Sequence, residues 1–208
     1  MSMGLHPSQP PGGAMRLYGR RVMMRPLGSG DFAAYSEVRR RNHEWLVPWE
    51  PARPDSTPDP AVDRDAFGAR CTTRQRERQL GHAYAFGLFV DSTFAGEINI
   101  NNIQRGALQC CTIGYWIDQA RAGHAYVAEG VVVALRFAFE EMQLHRVEIC
   151  IIPRNVRSHA VMNKLAIRDE GLAVRYVEIA GVWEDHVRYG ITAEEWQDRR
   201  ASFAAVWL

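Results

Sequence analysis

The sequence predicts one α/β domain: a mixed, mostly antiparallel sheet flanked by helices. Three observations carry that expectation. Short apolar runs bounded by turn residues recur at Tyr84–Val90, Phe94–Asn101, Gln109–Ile117 and Arg146–Ile152. Between the last two, Val127, Val131, Ala134, Leu135, Ala138 and Met142 fall at helical spacing and give one buried stripe. Hairpins alternate with crossover helices along the chain, so both pairing senses are required. With 208 residues, 47% of them hydrophobic, the chain has the size of one domain and enough apolar surface for a core without disulfide staples.

Taken in order, the opening MSMGLHPSQPPGGA is rich in Pro and Gly and has no periodicity, which predicts a disordered tail over 1–14 and a folded domain over 15–208. The tail lacks the basic and apolar regions of a secretory signal. Arg16 to Pro26 reads as a strand, and Asp31 is placed to cap a helix through Phe32, Tyr35 and Val38 toward Trp45. Five prolines from Pro48 to Pro60 then argue against regular structure. Pro60 to Leu80 reads as a polar, Arg-rich helix. Tyr84–Val90 and Phe94–Asn101 form a hairpin about Asp91-Ser92, and Gln109–Ile117 is a third strand. The long apolar helix follows, then a strand at Arg146–Ile152 and a short helix at Asn155–Leu165. Leu172–Ala180 and Trp183–Ile191 pair about Gly181. Thr192 and Glu195 make a capping box for a last helix.

Charge and cysteine content narrow the function. Basic and acidic residues number 25 and 24, a net +1, so no basic excess exists to neutralise a nucleic-acid backbone. No run of 18 apolar residues spans a membrane, and the cytoplasm is the expected compartment. Cys71, Cys110, Cys111 and Cys150 form no C-x-x-C pair, and adjacent Cys110 and Cys111 on a strand point to opposite faces, so reduced thiols and no metal site are expected. All basic residues but Lys164 are arginines, which leaves one candidate for Schiff-base chemistry.

Two strand-to-helix junctions carry polar and small residues together. Ile113-Gly114-Tyr115-Trp116-Ile117 leads through a short loop to Gly123-His124-Ala125, where small residues let a ligand approach the backbone. N–H groups at a helix start suit phosphate oxygens. A tight turn explains the same residues. The loop lacks the P-loop pattern and the dinucleotide glycine pattern. At the next junction, Asn155 reads as an N-cap with Ser158 in the first turn; alternatively both side chains meet a ligand at the strand ends.

These segments resemble the GNAT superfamily of N-acetyltransferases. Arg121-Ala122-Gly123-His124-Ala125 is similar to its acetyl-CoA motif, Q/R-x-x-G-x-G/A, and Asn155 to Gly171 is similar to its N-x-x-S signature. Trp45 to Pro51 and Gly181 to Thr192 resemble the RimJ/RimL branch, the ribosomal-protein N-terminal alanine and serine acetyltransferases. Ala120 replaces the usual Gln or Arg, and Ala166-Ile167 the usual Gly-Phe.

The resemblance implies acetyl transfer from acetyl-CoA to an amine by direct attack in a ternary complex, with a V-shaped opening between the strands ending at Ile117 and Ile152. It implies that Arg121, Ala122, Gly123, His124, Ala125 and Tyr126 hold the pyrophosphate, while Tyr115, Trp116 and Ile117 hold the thioester. Asn155 would hold the pantetheine and Ser158 would donate to the leaving thiolate. Trp45 and Trp49 would wall the acceptor site, or simply pack their loop. An α-amine with a pKa of about 7.7–8.0 needs only a modest base; Glu97, acting through water, is the candidate. Glu178 lies one residue from a position where relatives carry a carboxylate. His43, His124 and His186 read as ordinary polar or capping residues. The expected acceptor is a protein N-terminus, such as that of a ribosomal protein, with the enzyme a monomer or homodimer and no direct nucleic-acid contact. A small amine as acceptor, or a non-catalytic acetyl-CoA-binding module, are the alternatives.

Overall fold

The computed structural model describes residues 15–54 and 56–208; the tail expected over 1–14 lies outside them. Eight strands form one sheet: β1 (Leu17–Tyr18), β2 (Val22–Arg25), β3 (Tyr84–Val90), β4 (Thr93–Gln104), β5 (Cys110–Ile117), β6 (Arg146–Ile151), β7 (Arg168–Ile179) and β8 (Val182–Thr192). Their order is β1-β2-β3-β4-β5-β6-β8-β7. Every neighbouring pair is antiparallel except β5 and β6, which a helical crossover joins in parallel.

Six helices flank the sheet: α1 (Phe32–Arg41), α2 (His43–Leu46), α3 (Arg64–Gln79), α4 (Tyr126–Arg136), α5 (Val156–Leu165) and α6 (Ala193–Trp207). The apolar stripe of α4 explains its place. Val131, Val132, Val133 and Leu135 are fully buried in one core cluster with Leu88, Ile98 and Ile113 of the sheet, each burial being worth about 1.5–3 kcal/mol. On the opposite face α1 and α3 cover a smaller cluster of Tyr35, Phe67, Phe89 and Phe94. No helix among the described residues is long and apolar enough to cross a membrane.

Several boundaries differ from the sequence expectation. The strand expected over Arg16–Pro26 is two short strands that pair with each other, Leu17 opposite Met24. The chain turns at Gly19, where a Cβ would lie 2.7 Å from the Glu129 carboxylate. Asp31 holds the N-cap position of α1, as expected, but its side chain makes no capping bond: its carboxylate accepts from the Gly28 N–H at 2.8 Å and from the Arg25 guanidinium at 2.7 and 2.8 Å. The proline-rich segment opens on helical structure, α2 followed by a 3-10 turn over Val47–Trp49, because Pro48 sits where a first turn tolerates it. The helix expected from Pro60 starts at Arg64, with Asp63 accepting from the N–H groups of Asp65 and Ala66. α4 starts at Tyr126, not Gly123, and passes into a π turn over Phe137–Glu141. β7 begins at Arg168, four residues early, because a register shift between Asp169 and Leu172 absorbs the turn-forming Gly171; a second, between Ala173 and Val177, falls at Arg175. The capping box stands as expected: Thr192 N–H donates to Glu195 at 2.8 Å and Glu195 N–H to Thr192 at 3.4 Å.

Candidate active site

β5 and β6 separate. Only Cys110–Thr112 of β5 pair with Arg146–Glu148 of β6. Beyond that point Ile113–Ile117 pair with β4 alone and Ile149–Ile151 with β8 alone, which makes the V-shaped opening. The starts of α4 and α5 flank it.

The loop into α4 is shaped by left-handed backbone. Gly123 has φ +82° and open space where a Cβ would be, and Ala125, at the helix entry, has φ +63°. A non-glycine residue in this region costs about 1–2 kcal/mol and persists only where its surroundings hold it. Arg21 does so: its guanidinium donates to the His124 carbonyl at 3.2 Å and lies 4.9 Å from the Tyr126 ring centre. Its Nε donates to Glu129 at 2.9 Å, and the other oxygen of that buried carboxylate accepts from the Arg21 and Val22 N–H groups. The backbone N–H groups from Gly123 to Ala128 find no acceptor among the described residues. They remain available to phosphate oxygens. Arg121 points elsewhere, 3.7 Å from Asp91 of the β3–β4 turn. The His124 ring stacks on Tyr126 at 5.7 Å, with Nδ1 2.9 Å from the Ala122 carbonyl.

Before this loop stands a buried polar knot. Asp118 is 2% exposed and accepts from Arg41, from Asn42 at 2.8 Å and from the Ala120 N–H at 3.3 Å. Burial alone would raise its carboxyl; the hydrogen bonds from Arg41, Asn42 and Ala120 outweigh that and hold it below the usual carboxylate range. Asn42 also accepts from the Gln119 N–H at 2.8 Å. The knot thus fixes the loop to the end of α1.

At α5, Asn155 caps the helix by accepting the Ser158 N–H at 3.2 Å. The Ser158 hydroxyl makes no hydrogen bond among the described residues, while its carbonyl accepts from the Tyr115 hydroxyl at 3.3 Å across the opening. Burial pushes the Tyr115 phenol well above its ordinary value, so it stays a donor. Tyr115 and Ile117 face α4, whereas Trp116 turns to the other face, as alternation requires. Trp45 donates to the Ile117 carbonyl at 3.2 Å and carries Arg157 4.3 Å over its ring. Arg154 covers Trp49 at 5.0 Å and bonds Glu184 of β8. Tyr115, Ile117, Ser158, Asn155 and Trp45 therefore meet at the mouth of the V. A cleft of about 350 Å³ lies between Ile152–Arg154 and the hairpin residues Arg175, Trp183, Glu184 and Asp185.

The two carboxylates expected near the acceptor lie differently. Glu97 is on the face away from α4, 3% exposed, and both its oxygens accept from Arg70 at 2.7 and 2.8 Å. Trp116 donates to it as well, at 3.0 Å. These contacts tie Glu97 to Trp116 and to Arg70 of α3. Glu178 is exposed on the edge strand opposite Trp183. His186 is buried and bonds the Glu184 carbonyl at 3.0 Å. All four cysteines are free thiols, and burial pushes Cys111 up to about 12. No group of three or more metal-ligating side chains occurs among the described residues. Sequence reasoning missed Arg21, Glu129, Asn42 and Asp118. Of these, Glu129 left a signal: an acid within the apolar stretch that forms α4.

A sheet split between two helix starts, one of them lined with unpaired N–H groups beside an open glycine, defines a CoA-binding acyltransferase. The chain belongs to the GNAT acetyltransferase family, whose domain model matches residues 21–168. A probable N-acetyltransferase of Bacillus subtilis, YjcK, is 33% identical over 172 residues, 82% of this chain and 93% of that protein. The [ribosomal protein uS5]-alanine N-acetyltransferase of Escherichia coli is 30% identical over 188 residues, 89% and 95% of the two chains. RimJ of Mycobacterium smegmatis, solved with CoA-disulfide, superposes with a TM-score of 0.80 at 32% identity, covering 92% of this chain and 94% of that one. The chain is thus an N-acetyltransferase that takes acetyl-CoA as co-substrate.

Proposed function

We propose that the acceptor is the N-terminal α-amine of a protein, of the ribosomal-protein alanine or serine type, and that it attacks directly in a ternary complex. The observation that carries this reading is the mouth of the V. Trp45 and Trp49 are pinned there by Arg157 and Arg154 beside Ser158, and Arg154 also lines a cleft against the β7–β8 hairpin. A chain end fits such an open-ended slot. The likeness to an enzyme named for a ribosomal-protein alanine supports the same reading.

Each residue then has a task. The N–H groups of Gly123 to Ala128 hold pyrophosphate oxygens, and Gly123 leaves room for them. Acetyl-CoA supplies an activated acyl group. Tyr115 and Ile117 line one side of the V, and Asn155 lines the other with its amide nitrogen, its oxygen being committed to the cap. The attacking α-amine is partly neutral at pH 7, so water suffices to take its proton as the C–N bond forms. The Ser158 hydroxyl, unengaged in the protein, donates a hydrogen bond to the sulfur as the C–S bond breaks.

The test is release of free thiol from acetyl-CoA with a panel of peptides opening on alanine, serine and other residues, beside polyamines and amino sugars. Turnover confined to α-amines supports the reading. Turnover of the small amines alone overturns it, and absence of turnover with every acceptor supports a binding module.

A further inference from the structure

Past Glu148 the β6 arm of the opening has no partner on its β5 side. Ile149, Cys150 and Ile151 pair with Tyr189, Arg188 and Val187 of β8 alone. The chain then leaves the sheet at Ile152 and turns into α5, whose first turn carries Ser158 behind the Asn155 cap. Backbone pairing does not dictate where that turn stands against the arm. His159, the next residue, supplies the missing link.

The His159 ring touches two elements besides its own helix. Its Nε2 lies 3.2 Å from the Ile152 carbonyl, and its Nδ1 lies 2.8 Å from the Tyr189 hydroxyl of β8. A carbonyl oxygen only accepts, so the Ile152 contact assigns the proton to Nε2; on the neutral ring Nδ1 then accepts from Tyr189. Burial holds the Tyr189 phenol above its ordinary value, so the hydroxyl keeps the hydrogen it gives. The Ile152 oxygen also accepts the Asn155 N–H at 2.9 Å, and with His159 both its lone pairs are used.

The opposite arm reaches the same turn. Tyr115 of β5 donates to the Ser158 carbonyl at 3.3 Å, and that carbonyl belongs to the peptide unit joining Ser158 to His159. This unit is thus strung between the two arms, held by Tyr115 from one side and through the His159 ring from the other. The Ser158 hydroxyl hangs from it. A displacement of about 1 Å in such a group can cost about 10²-fold in rate.

We infer that His159 is a positioning residue for the transfer. Its two ring nitrogens tie the first turn of α5 to the end of β6 and to β8, and so place the Ser158 hydroxyl at the breaking C–S bond. The inference rests on the role proposed for Ser158.

The test is a double-mutant cycle. Wild type, His159→Phe, Ser158→Ala and the double variant are compared by steady-state rates with an alanine-opening peptide, and acetyl-CoA affinity is read by calorimetry. If the panel shows that only a small amine turns over, that amine takes the peptide's place, so the cycle does not depend on the α-amine reading. His159→Phe is expected to lower kcat about tenfold with acetyl-CoA affinity little changed. His159→Gln, which can still donate to Ile152, should recover most of that loss. In the Ser158→Ala background the phenylalanine should change kcat by less than about twofold, because a residue that acts through Ser158 has nothing left to place. A full loss in that background overturns the inference, as does wild-type kcat in folded His159→Phe or a glutamine variant as slow as the phenylalanine. His159→Leu replaces the phenylalanine variant if that one does not fold. Wild-type kcat in Ser158→Ala removes the role of Ser158 and the inference with it. A slow Ser158→Ala beside a normal His159→Phe removes the inference alone.

Discussion

The two helix starts that flank the opening are built in opposite ways. α5 is closed by its own sequence: Asn155 accepts the Ser158 N–H, and one orphan donor of the first turn is satisfied locally. α4 has no side-chain cap at all. It enters through a left-handed alanine and is held from outside by Arg21, which bonds Glu129 of the helix across 108 residues of sequence. The difference assigns the work. An end left uncapped keeps its N–H groups for a ligand's charge, whereas a self-capped end keeps its geometry and offers a hydroxyl.

Substitutions at each end sharpen that contrast. The largest effect is expected at the capped end: Ser158→Ala should lower kcat by about 10²-fold with the acetyl-CoA KM little changed, the loss typical of general-acid assistance. Normal kcat there would reduce Ser158 to packing. At the uncapped end, Gly123→Val should weaken acetyl-CoA binding about 5- to 30-fold by calorimetry, since φ +82° suits no β-branched residue and the shift costs about 1–2 kcal/mol. Unchanged affinity would make the loop an ordinary turn. Asn155→Ala should cost about 1 kcal/mol, read as a fall of about 2–4 °C in melting temperature; if it lowers acetyl-CoA affinity without touching stability, the two ends are not built differently after all.

The smallest effect is electrostatic. Asp118 has a depressed pKa in the folded chain, so its stabilisation is complete above the ordinary Asp value of about 3.9 and is lost as pH falls below that through the depressed value. Asp118→Asn should therefore flatten the acid limb of a stability-against-pH curve. An unaltered limb would show that the knot beneath the α4 loop owes nothing to its charge.

What the sequence disclosed follows the range of the forces involved. Tyr84–Val90 was legible to the residue because an apolar run between turn residues is a local pattern. Asn155 and the Thr192–Glu195 box were legible because capping acts within one turn. Asp31 misled for the same reason: Arg25 and the Gly28 N–H compete for its carboxylate, and no helix propensity reports that contest. Glu97 was legible as a strand carboxylate but not as a paired one, because strand alternation says nothing of Arg70 arriving from another layer. Glu129 with Arg21 and Asp118 with Arg41 pair across 108 and 77 residues, where periodicity carries no information.

The seam between β5 and β6 has a further consequence. Three bridged pairs are all that join the five-stranded half of the sheet to the three-stranded half along the strands. A molecule seated in the V is bonded to both halves and has no counterpart site in the unfolded chain. Acetyl-CoA held there as proposed would act as a reversible rivet, adding about 2.7 kcal/mol to folding at a hundred times its dissociation constant, and the unfolded fraction open to proteases is expected to fall as the co-substrate rises.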